Sequence, residues 1–301
     1  MPAESLELLS LSPGKTAVDA TLGGGGHAEL MIEALSPGRR LIGLDMDAEA
    51  VAWSRRRLEP RAAAAGVALD VLHRNFAELG EVLDELGTSR VDALLADLGV
   101  SYHQLSTGER GFSFQVDAPL DMRMDATSPL TAADLVNRLP EKELADIIFR
   151  YGGEHKSRRV ARAIVAERGR RGRIETTAEL ARVVARALRS PKGRYERGRI
   201  HPATRTFQAL RIAVNRELES LEALLAQLPE RLNSGGRMVV ISFHSLEDAQ
   251  VKHFLREYSQ RAETRLPTFR VLTSKPLRAS SEEIAANPRA RSAKLRAAER
   301  L

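Results

Sequence analysis

The first hundred residues alternate between two hydrophobic patterns. Short apolar runs at 16–19, 40–45, 67–73 and 91–97 read as strands buried in a sheet. Between them lie segments at 27–35, 48–58 and 76–86 whose apolar positions suit helices packed on one face. The stops are local: Ser36-Pro37-Gly38 closes one helix, and Pro60 is expected to end the next. A short helix over 3–9 precedes them and stops near Pro13-Gly14. Strands alternating with helices at this spacing predict an α/β fold, a parallel sheet with helices on both faces.

After Asp97 the pattern changes. Residues 98–124 carry no clear period, and from Thr131 onward only helices are predicted. Thr131-Ala-Ala-Asp134 has the spacing of a capping box, and Pro140 suits the start of a helix over 141–151. Helices over 158–168 and 178–188 follow. A block this long without a strand does not fit inside a compact βα alternation, so an inserted helical domain is expected over roughly 108–205. The alternation then resumes. One long helix is predicted over 203–228, with Leu210, Val214, Leu218, Leu221 and Leu225 on its buried face. A turn at 233–236, a strand at 238–243 and a helix to 258 come next. A last strand is expected at 268–272, and from Ser280 an arginine-rich polar tail.

Composition narrows the chemistry. With 301 residues and 43% hydrophobic content the chain can bury a proper core. No apolar run is long enough to span a bilayer, and the N-terminus lacks the pattern of a signal peptide, so a cytoplasmic protein without a membrane partner is expected. There are no cysteines, which excludes disulfides and thiolate catalysis. The formal net charge of +6 is compatible with nucleic-acid binding without establishing it.

The densest chemistry lies in Thr16-Ala-Val-Asp-Ala-Thr-Leu-Gly-Gly-Gly-Gly-His27 and Arg40-Leu-Ile-Gly-Leu-Asp45. A strand, a glycine turn, a helix and a second strand tipped by an acid form a nucleotide-binding βαβ unit. Gly23-x-Gly25-x-x-Ala28 formally fits a dinucleotide fingerprint, but a lone match of this kind is weak. Asp19, just ahead of the glycines, would repel a pyrophosphate and attract the sulfonium and ammonium of S-adenosylmethionine. Asp45 is placed to hold ribose hydroxyls, Asn75-Phe76 to border the adenine, and Asp97 to lie at the reaction centre. In open α/β sheets ligands bind outside the carboxyl ends of the strands, where all these positions are expected. A phenylalanine such as Phe76 is as a rule more often core than pocket.

Further motifs stand in order along the chain: Asp97-Leu-Gly-Val-Ser101 with Gln104-Leu105, Arg110-Gly-Phe-Ser-Phe114, Leu120-Asp-Met-Arg-Met124, His201-Pro-Ala-Thr-Arg-Thr-Phe-Gln-Ala-Leu-Arg211, Ile241-Ser-Phe-His-Ser-Leu-Glu-Asp248 and Asn287-Pro-Arg-Ala-Arg-Ser-Ala-Lys-Leu-Arg296. Together with the glycine loop they closely resemble the bacterial 16S rRNA (cytosine-N4)-methyltransferase family, MraW or RsmH, over nearly the whole chain. The resemblance implies a class I methyltransferase fold, a Rossmann-like, mostly parallel sheet with an inserted all-helical domain. The cofactor domain would then be 1–107 with 206–301, and the insert 108–205. The implied methyl donor is S-adenosylmethionine, and the implied target is the N4 amine of cytosine 1402 in the small-subunit rRNA. Cofactor contacts carried over by motif fall on Gly25, Gly26, His27, Asp45, Phe76, Asp97 and Gln104, beside Asp19 from the charge argument.

The missing cysteines also separate two reactions. Methylating C5 of cytosine needs a thiolate adduct, whereas the exocyclic amine needs only placement and an acceptor for its developing charge. Asp97 is the expected acceptor, or else holds the cofactor's amino group close by, with His201 and His244 expected at the target nucleotide and Tyr102, Phe112 or Phe114 as the stacking aromatic. Arg205 and Arg211 extend that surface, and the insert's cations are expected phosphate contacts: Arg150, Lys156, Arg158, Arg159 and Arg162, and above all the Arg168–Arg173 and Lys192–Arg199 runs, a solvated helix face being enough to explain Arg162 and Arg182. No metal site is read from the sequence. Expected partners are 16S rRNA or the small ribosomal subunit, with a homodimer left open. The rival readings are an NAD-dependent oxidoreductase, an RNA-binding protein with a vestigial pocket, and a DNA N4-cytosine methyltransferase, which lacks support because no Pro-Pro-aromatic follows Asp97.

Overall fold

Seven strands form one sheet in the computed structural model, which describes residues 1–101, 104, 108–189, 201–261 and 266–301. They are β1 (Thr16–Asp19), β2 (Arg40–Asp45), β3 (Ala68–His73), β4 (Val91–Asp97), β5 (Leu232–Ser242), β6 (Phe269–Val271) and β7 (Lys294–Arg300). Their order is β3-β2-β1-β4-β5-β7-β6. The first five in space run parallel, and β7 pairs antiparallel with both β5 and β6. The chain winds outward from β1 in one direction and from β4 in the other, so the switch point lies between these two strands.

The described helices are α1 (Pro2–Leu9), α2 (Gly26–Leu35), α3 (Ala48–Ala64), α4 (Leu79–Glu85), α5 (Ala132–Arg138), α6 (Glu141–Gly152), α7 (Ser157–Arg171), α8 (Thr177–Leu188), α9 (Thr204–Asn215), α10 (Glu217–Arg231), α11 (Ser245–Ser259) and α12 (Ser281–Ala286). The chain divides into two compact units, 1–99 with 218–301, and 100–217. In the first, alternate residues of each strand feed opposite faces of the sheet. Val18, Leu94 and Val240 pack with α4, α10 and α11. Ala17, Leu95 and Val239 pack with α1, α2 and α3. Burial on both faces is why these strands read as continuous apolar runs. Among the described residues no helix is long and apolar enough to cross a membrane.

The second unit is helical, with its own core from Leu120 and Met122 through the buried faces of α5 to α9. Thr131 and Thr176 each close a capping box, and Pro140 takes the N-cap of α6. The expected insert edges at 108 and 205 both fall inside this unit, because α9 packs on α6 and Asn215 reaches back to Met122 and Met124.

Four expectations change. The helix predicted over 203–228 is two helices, broken at Arg216 in the left-handed region (φ 50°). There Asn215 Oδ1 accepts from Met124 N at 2.7 Å, and its Nδ2 donates to the Met122 carbonyl at 2.8 Å. Helix α3 runs through Pro60 to Ala64. The turn expected at 233–236 is an irregularity inside β5, where the register with β4 shifts. The largest change is the tail. It is not left as a polar surface segment, since β7 lies between β5 and β6 and buries Leu295, Ala297 and Ala298. Its buried charge, Arg296, is 7% exposed and meets Asp248 at 2.7 Å, with Lys294 on the other oxygen at 2.9 Å.

Candidate active site

Parallel pairing brings the ends of β1, β2 and β4 to one edge of the sheet. Asp19 pairs with Gly43 of β2 and Leu95 of β4, and Asp45 and Asp97 close their own strands. Three carboxylates thus stand around the switch point, where the sequence placed them. The loop leaving β1 is tied to β4, since Thr21 Oγ1 accepts from Asp97 N at 2.6 Å. Asp45 holds the glycine turn, with Oδ2 accepting from Gly23 N at 2.7 Å and Oδ1 from Asp47 N at 2.8 Å.

Helix α3 clamps the glycine loop from the other side, a contribution the local sequence did not reveal. Ser54 Oγ donates to the Gly23 carbonyl at 2.7 Å, and Arg57 Nη1 donates to the Gly24 carbonyl at 2.9 Å. Arg57 is itself paired with Glu29 of α2. Gly25 is the N-cap of α2 with φ +76°, and a Cβ there would press on Ser54 Oγ and Leu58 Cδ1 at 3.2 Å each. A side chain at this position therefore meets both backbone strain and a tight contact from which Ser54 and Leu58 must give way. At Gly24 and Gly26 an added Cβ would meet nothing within 4 Å, so the loop's outer side is open.

The site is charged against its surroundings. Burial raises Asp19 to about 7, with Asp97 and Asp45 adding to the shift. Burial raises Asp97 to about 7, with Glu247 adding to the shift, and raises Asp45 to about 6. Desolvation penalises each negative charge and the neighbours repel it. His27 goes the other way, lowered to about 4 by burial, so its imidazole is neutral at pH 7. Its Nδ1 lies 3.6 Å from Asp97 Oδ2. Asp19 Oδ2, Asp97 Oδ1 and His27 Nε2 are buried without a hydrogen-bond partner among the described residues. Such groups are costly unless a ligand meets them.

Those orphaned atoms test the ligand. A dinucleotide pyrophosphate would add negative charge to three desolvated carboxylates. S-adenosylmethionine brings an ammonium, a sulfonium and a ribose diol, all of which favour ionised acceptors. The residues present fit S-adenosylmethionine. Asn75 and Phe76 border the same edge: Asn75 Oδ1 accepts from Ala77 N at 2.9 Å, its Nδ2 donates to Ser220 at 3.1 Å, and Phe76 is half-buried against the core.

The end of β5 completes this edge. His244 is the N-cap of α11, and its Nδ1 accepts from Glu247 N at 3.4 Å while its Nε2 lies 3.1 Å from Glu247 Oε1. Glu247, only 2% exposed, accepts from Phe243 N at 2.8 Å and from His244 N at 3.3 Å through Oε2. Sequence reading singled out His244; the buried anchor behind it is Glu247, signalled only by its capping-box spacing. Replacing Glu247 with Ala is expected to cost about 2–4 kcal/mol, from a lost cap and two stranded, part-buried N–H groups. Denaturant melts of Glu247→Ala against Glu247→Gln check this, the glutamine keeping most of the stability.

The other expected residues lie in the helical unit. Gln104 is buried and closed into a turn with Ser101, its Oε1 accepting from Ser101 N at 3.0 Å. His201 is exposed, accepts from Ala203 N at 3.2 Å through Nδ1, and stacks on Phe114 at 4.6 Å. Phe112 and Phe114 are half-buried against the helical core. Several arginines are spent on structure. Arg123 is bidentate on Asp121, Arg211 on Glu217, and Arg168 donates to the carbonyls that end α5. Arg170 and Arg171 both pair with Glu167, and Arg173 with Glu175. Tyr102 and the Lys192–Arg199 run lie outside the described residues.

The profile of the MraW methylase family matches residues 1–301. Relatives named ribosomal RNA small subunit methyltransferase H are similar over the full length. That of Pelobacter propionicus is 52% identical over 312 residues, covering 100% of this chain and 97% of its own. That of Geobacter sulfurreducens is 53% identical over 311 residues with the same coverage, and that of a Cyanothece strain is 52% identical over 97% of this chain and 90% of its own. With about half its residues shared along its whole length, and a sheet that gathers three carboxylates at its switch point, the chain belongs to the MraW methylase family and takes S-adenosylmethionine as its methyl donor.

Proposed function

We propose that this chain methylates the N4 amine of cytosine 1402 in 16S rRNA, in the cytoplasm, on naked rRNA or within the small ribosomal subunit. The observation that carries the reading is the Asp97 carboxyl. It sits at the end of β4 with a buried, unpartnered oxygen, in a chain with no cysteine to attack a pyrimidine ring. The names of the relatives, all small-subunit rRNA methyltransferases, support the substrate class.

When bound, S-adenosylmethionine supplies an electrophilic methyl group on sulfur. Asp19 would face its positive end, Asp45 its ribose hydroxyls, Phe76 its base, and the backbone at Gly25, Gly26 and His27 would line its path. Gln104 is proposed as a further contact. Asp97 accepts a hydrogen bond from the N4 amine, which turns the nitrogen lone pair toward the methyl carbon. As the N–C bond forms, the carboxylate opposes the positive charge on nitrogen and takes up the displaced proton. Neutral His27 lies beside the other Asp97 oxygen, at 3.6 Å, without neutralising it. His244 and His201 are proposed contacts to the target nucleotide.

The raised acids give a signed pH dependence. Below pH 7, Asp19 and Asp97 are largely protonated in the free protein, and a cationic ligand selects their ionised forms. Binding therefore releases protons, and affinity falls as pH drops through about 7, by up to tenfold per unit for each coupled proton. Calorimetry at about pH 6.5 in two buffers of different ionisation enthalpy measures the release; none at all would contradict the carboxylate assignment. The reaction itself is tested by transfer of labelled methyl to rRNA, with wild type active and His244→Ala slowed at unchanged cofactor affinity.

A further inference from the structure

Of the cations that sequence alone offers as phosphate contacts, Arg168, Arg170, Arg171 and Arg173 are held by partners within the helical unit, and the cluster of Arg150, Lys156, Arg158 and Arg159 is left outward. It lies where α6 ends, α7 begins and α9 begins. Gly153 closes α6 in the left-handed region, donating to the Phe149 carbonyl at 2.9 Å. Three contacts bind this turn to α9. Arg205 Nη1 donates to the Gly153 carbonyl at 3.3 Å, and Gln208 Nε2 donates to the Tyr151 carbonyl at 3.1 Å. The third is backbone proximity: a Cβ on Gly152 would collide with the Arg205 carbonyl oxygen. The turn is thus a rigid corner, not a free loop.

What this corner presents is unusual for a folded surface. Phe149 is 52% exposed and meets the exposed ring of His155 at 6.3 Å between centroids. Around that pair stand Arg150, Lys156, Arg158 and Arg159, all exposed and none paired with a carboxylate among the described residues. The contrast with α7's far end is direct, for there Arg170 and Arg171 share Glu167. Lys156, Arg158 and Arg159 also occupy the N-cap and first turn of α7, which holds no acid. Cations there oppose the helix dipole, so local stability does not account for them. Glu154, the one acid in the turn, accepts from Lys156 N at 2.8 Å.

We propose that this corner is a docking surface for a single-stranded RNA segment, with a base stacked on the Phe149–His155 pair and phosphates held by Arg158 and Arg159. Unpaired bases are recognised by stacking on aromatic faces while cations track the backbone. Exposed aromatic surface flanked by uncompensated positive charge is complementary to that ligand. A protein partner of ordinary composition offers no reason for the cations, and a paired RNA helix offers no base for Phe149. The inference rests on the rRNA reading above and adds to it where the RNA lies on the helical unit.

The test uses the full chain and a labelled single-stranded fragment of small-subunit rRNA containing the target cytosine, with affinity measured across a range of KCl concentrations. Arg158→Gln with Arg159→Gln should flatten the slope of log affinity against log salt by about 1.4, from about 0.7 per lost phosphate contact on a single strand. Phe149→Ala should weaken binding about five- to 150-fold with the slope unchanged, and Phe149→Tyr should restore it. Arg170→Gln, whose guanidinium is held by Glu167, should match wild type in both respects. Calorimetric binding of S-adenosylmethionine confirms that each variant is folded. If wild type binds and methylates rRNA while the double variant keeps its slope and Phe149→Ala keeps its affinity, the surface is refuted and the rRNA function stands. A wild type that methylates small subunits but does not bind the fragment overturns the surface alone; one that methylates neither overturns both.

Discussion

Asp97→Asn should lower the rate of methyl transfer by roughly 10²–10⁴-fold, the range for loss of a positioned proton acceptor. The amide keeps the size of the side chain and one accepting oxygen. It cannot take a proton or oppose the charge that develops on the amine. Cofactor affinity should fall less than the rate: the negative charge at 97 that a cationic ligand favours is lost, while Asp19 and Asp45 stay in place. The same variant should be more stable than wild type at pH 8. The Asp97 carboxyl is raised to about 7 by burial and by Glu247, so its ionised form is disfavoured in the folded chain. A group with a raised folded pKa binds more protons folded than unfolded, and its stability contribution is lost as pH climbs through 7. Removing the charge removes that loss. Rate down and stability up, together, distinguish a functional carboxylate from a structural one. A variant retaining more than about a tenth of the wild-type rate removes Asp97 as the proton acceptor.

Deleting residues 293–301 should abolish cooperative folding of the cofactor unit. That segment contains β7, whose six register pairs with β5 run from Lys294 to Glu299. Its loss leaves the edge of β5 unpaired and takes the fully buried Leu295, Ala297 and Ala298 out of the core, exposing what they pack against. It also leaves Asp248 without Arg296 and Lys294, an uncompensated part-buried charge. A milder probe is Leu295→Ala, expected to cost about 2–5 kcal/mol. Circular dichroism melts settle both. A truncated chain that melts sharply within a few degrees of wild type would show the strand to be dispensable.

The same strand shows where sequence reading stops. Lys294-Leu-Arg-Ala-Ala-Glu-Arg300 is built from helix-forming, largely charged residues, with no β-branched side chain and no clean alternation. It is a strand because β5 and β6 supply its hydrogen bonds and Asp248, distant in sequence, supplies a partner for Arg296. No local pattern encodes that. The break at Arg216 is of the same kind, lacking glycine or proline and set by Asn215 bonding to the 122–124 segment. The carboxylates were legible for the opposite reason. Asp19, Asp45 and Asp97 each end a short apolar run, and parallel pairing forces such ends onto one edge. The glycines marked the loop, but the clamp from Ser54 and Arg57 needed the fold. Arginine counts misled most, since a guanidinium bound to a carboxylate or a helix end looks the same in sequence as one facing solvent.

We propose that this site methylates an exocyclic amine on small-subunit rRNA. The most direct test is transfer of labelled methyl from S-adenosylmethionine to rRNA and to small subunits that lack the modification, followed by digestion and identification of the nucleoside. The account predicts N4-methylcytidine at position 1402, lost in Asp97→Asn. Label appearing as 5-methylcytidine, or at any other position, would contradict it.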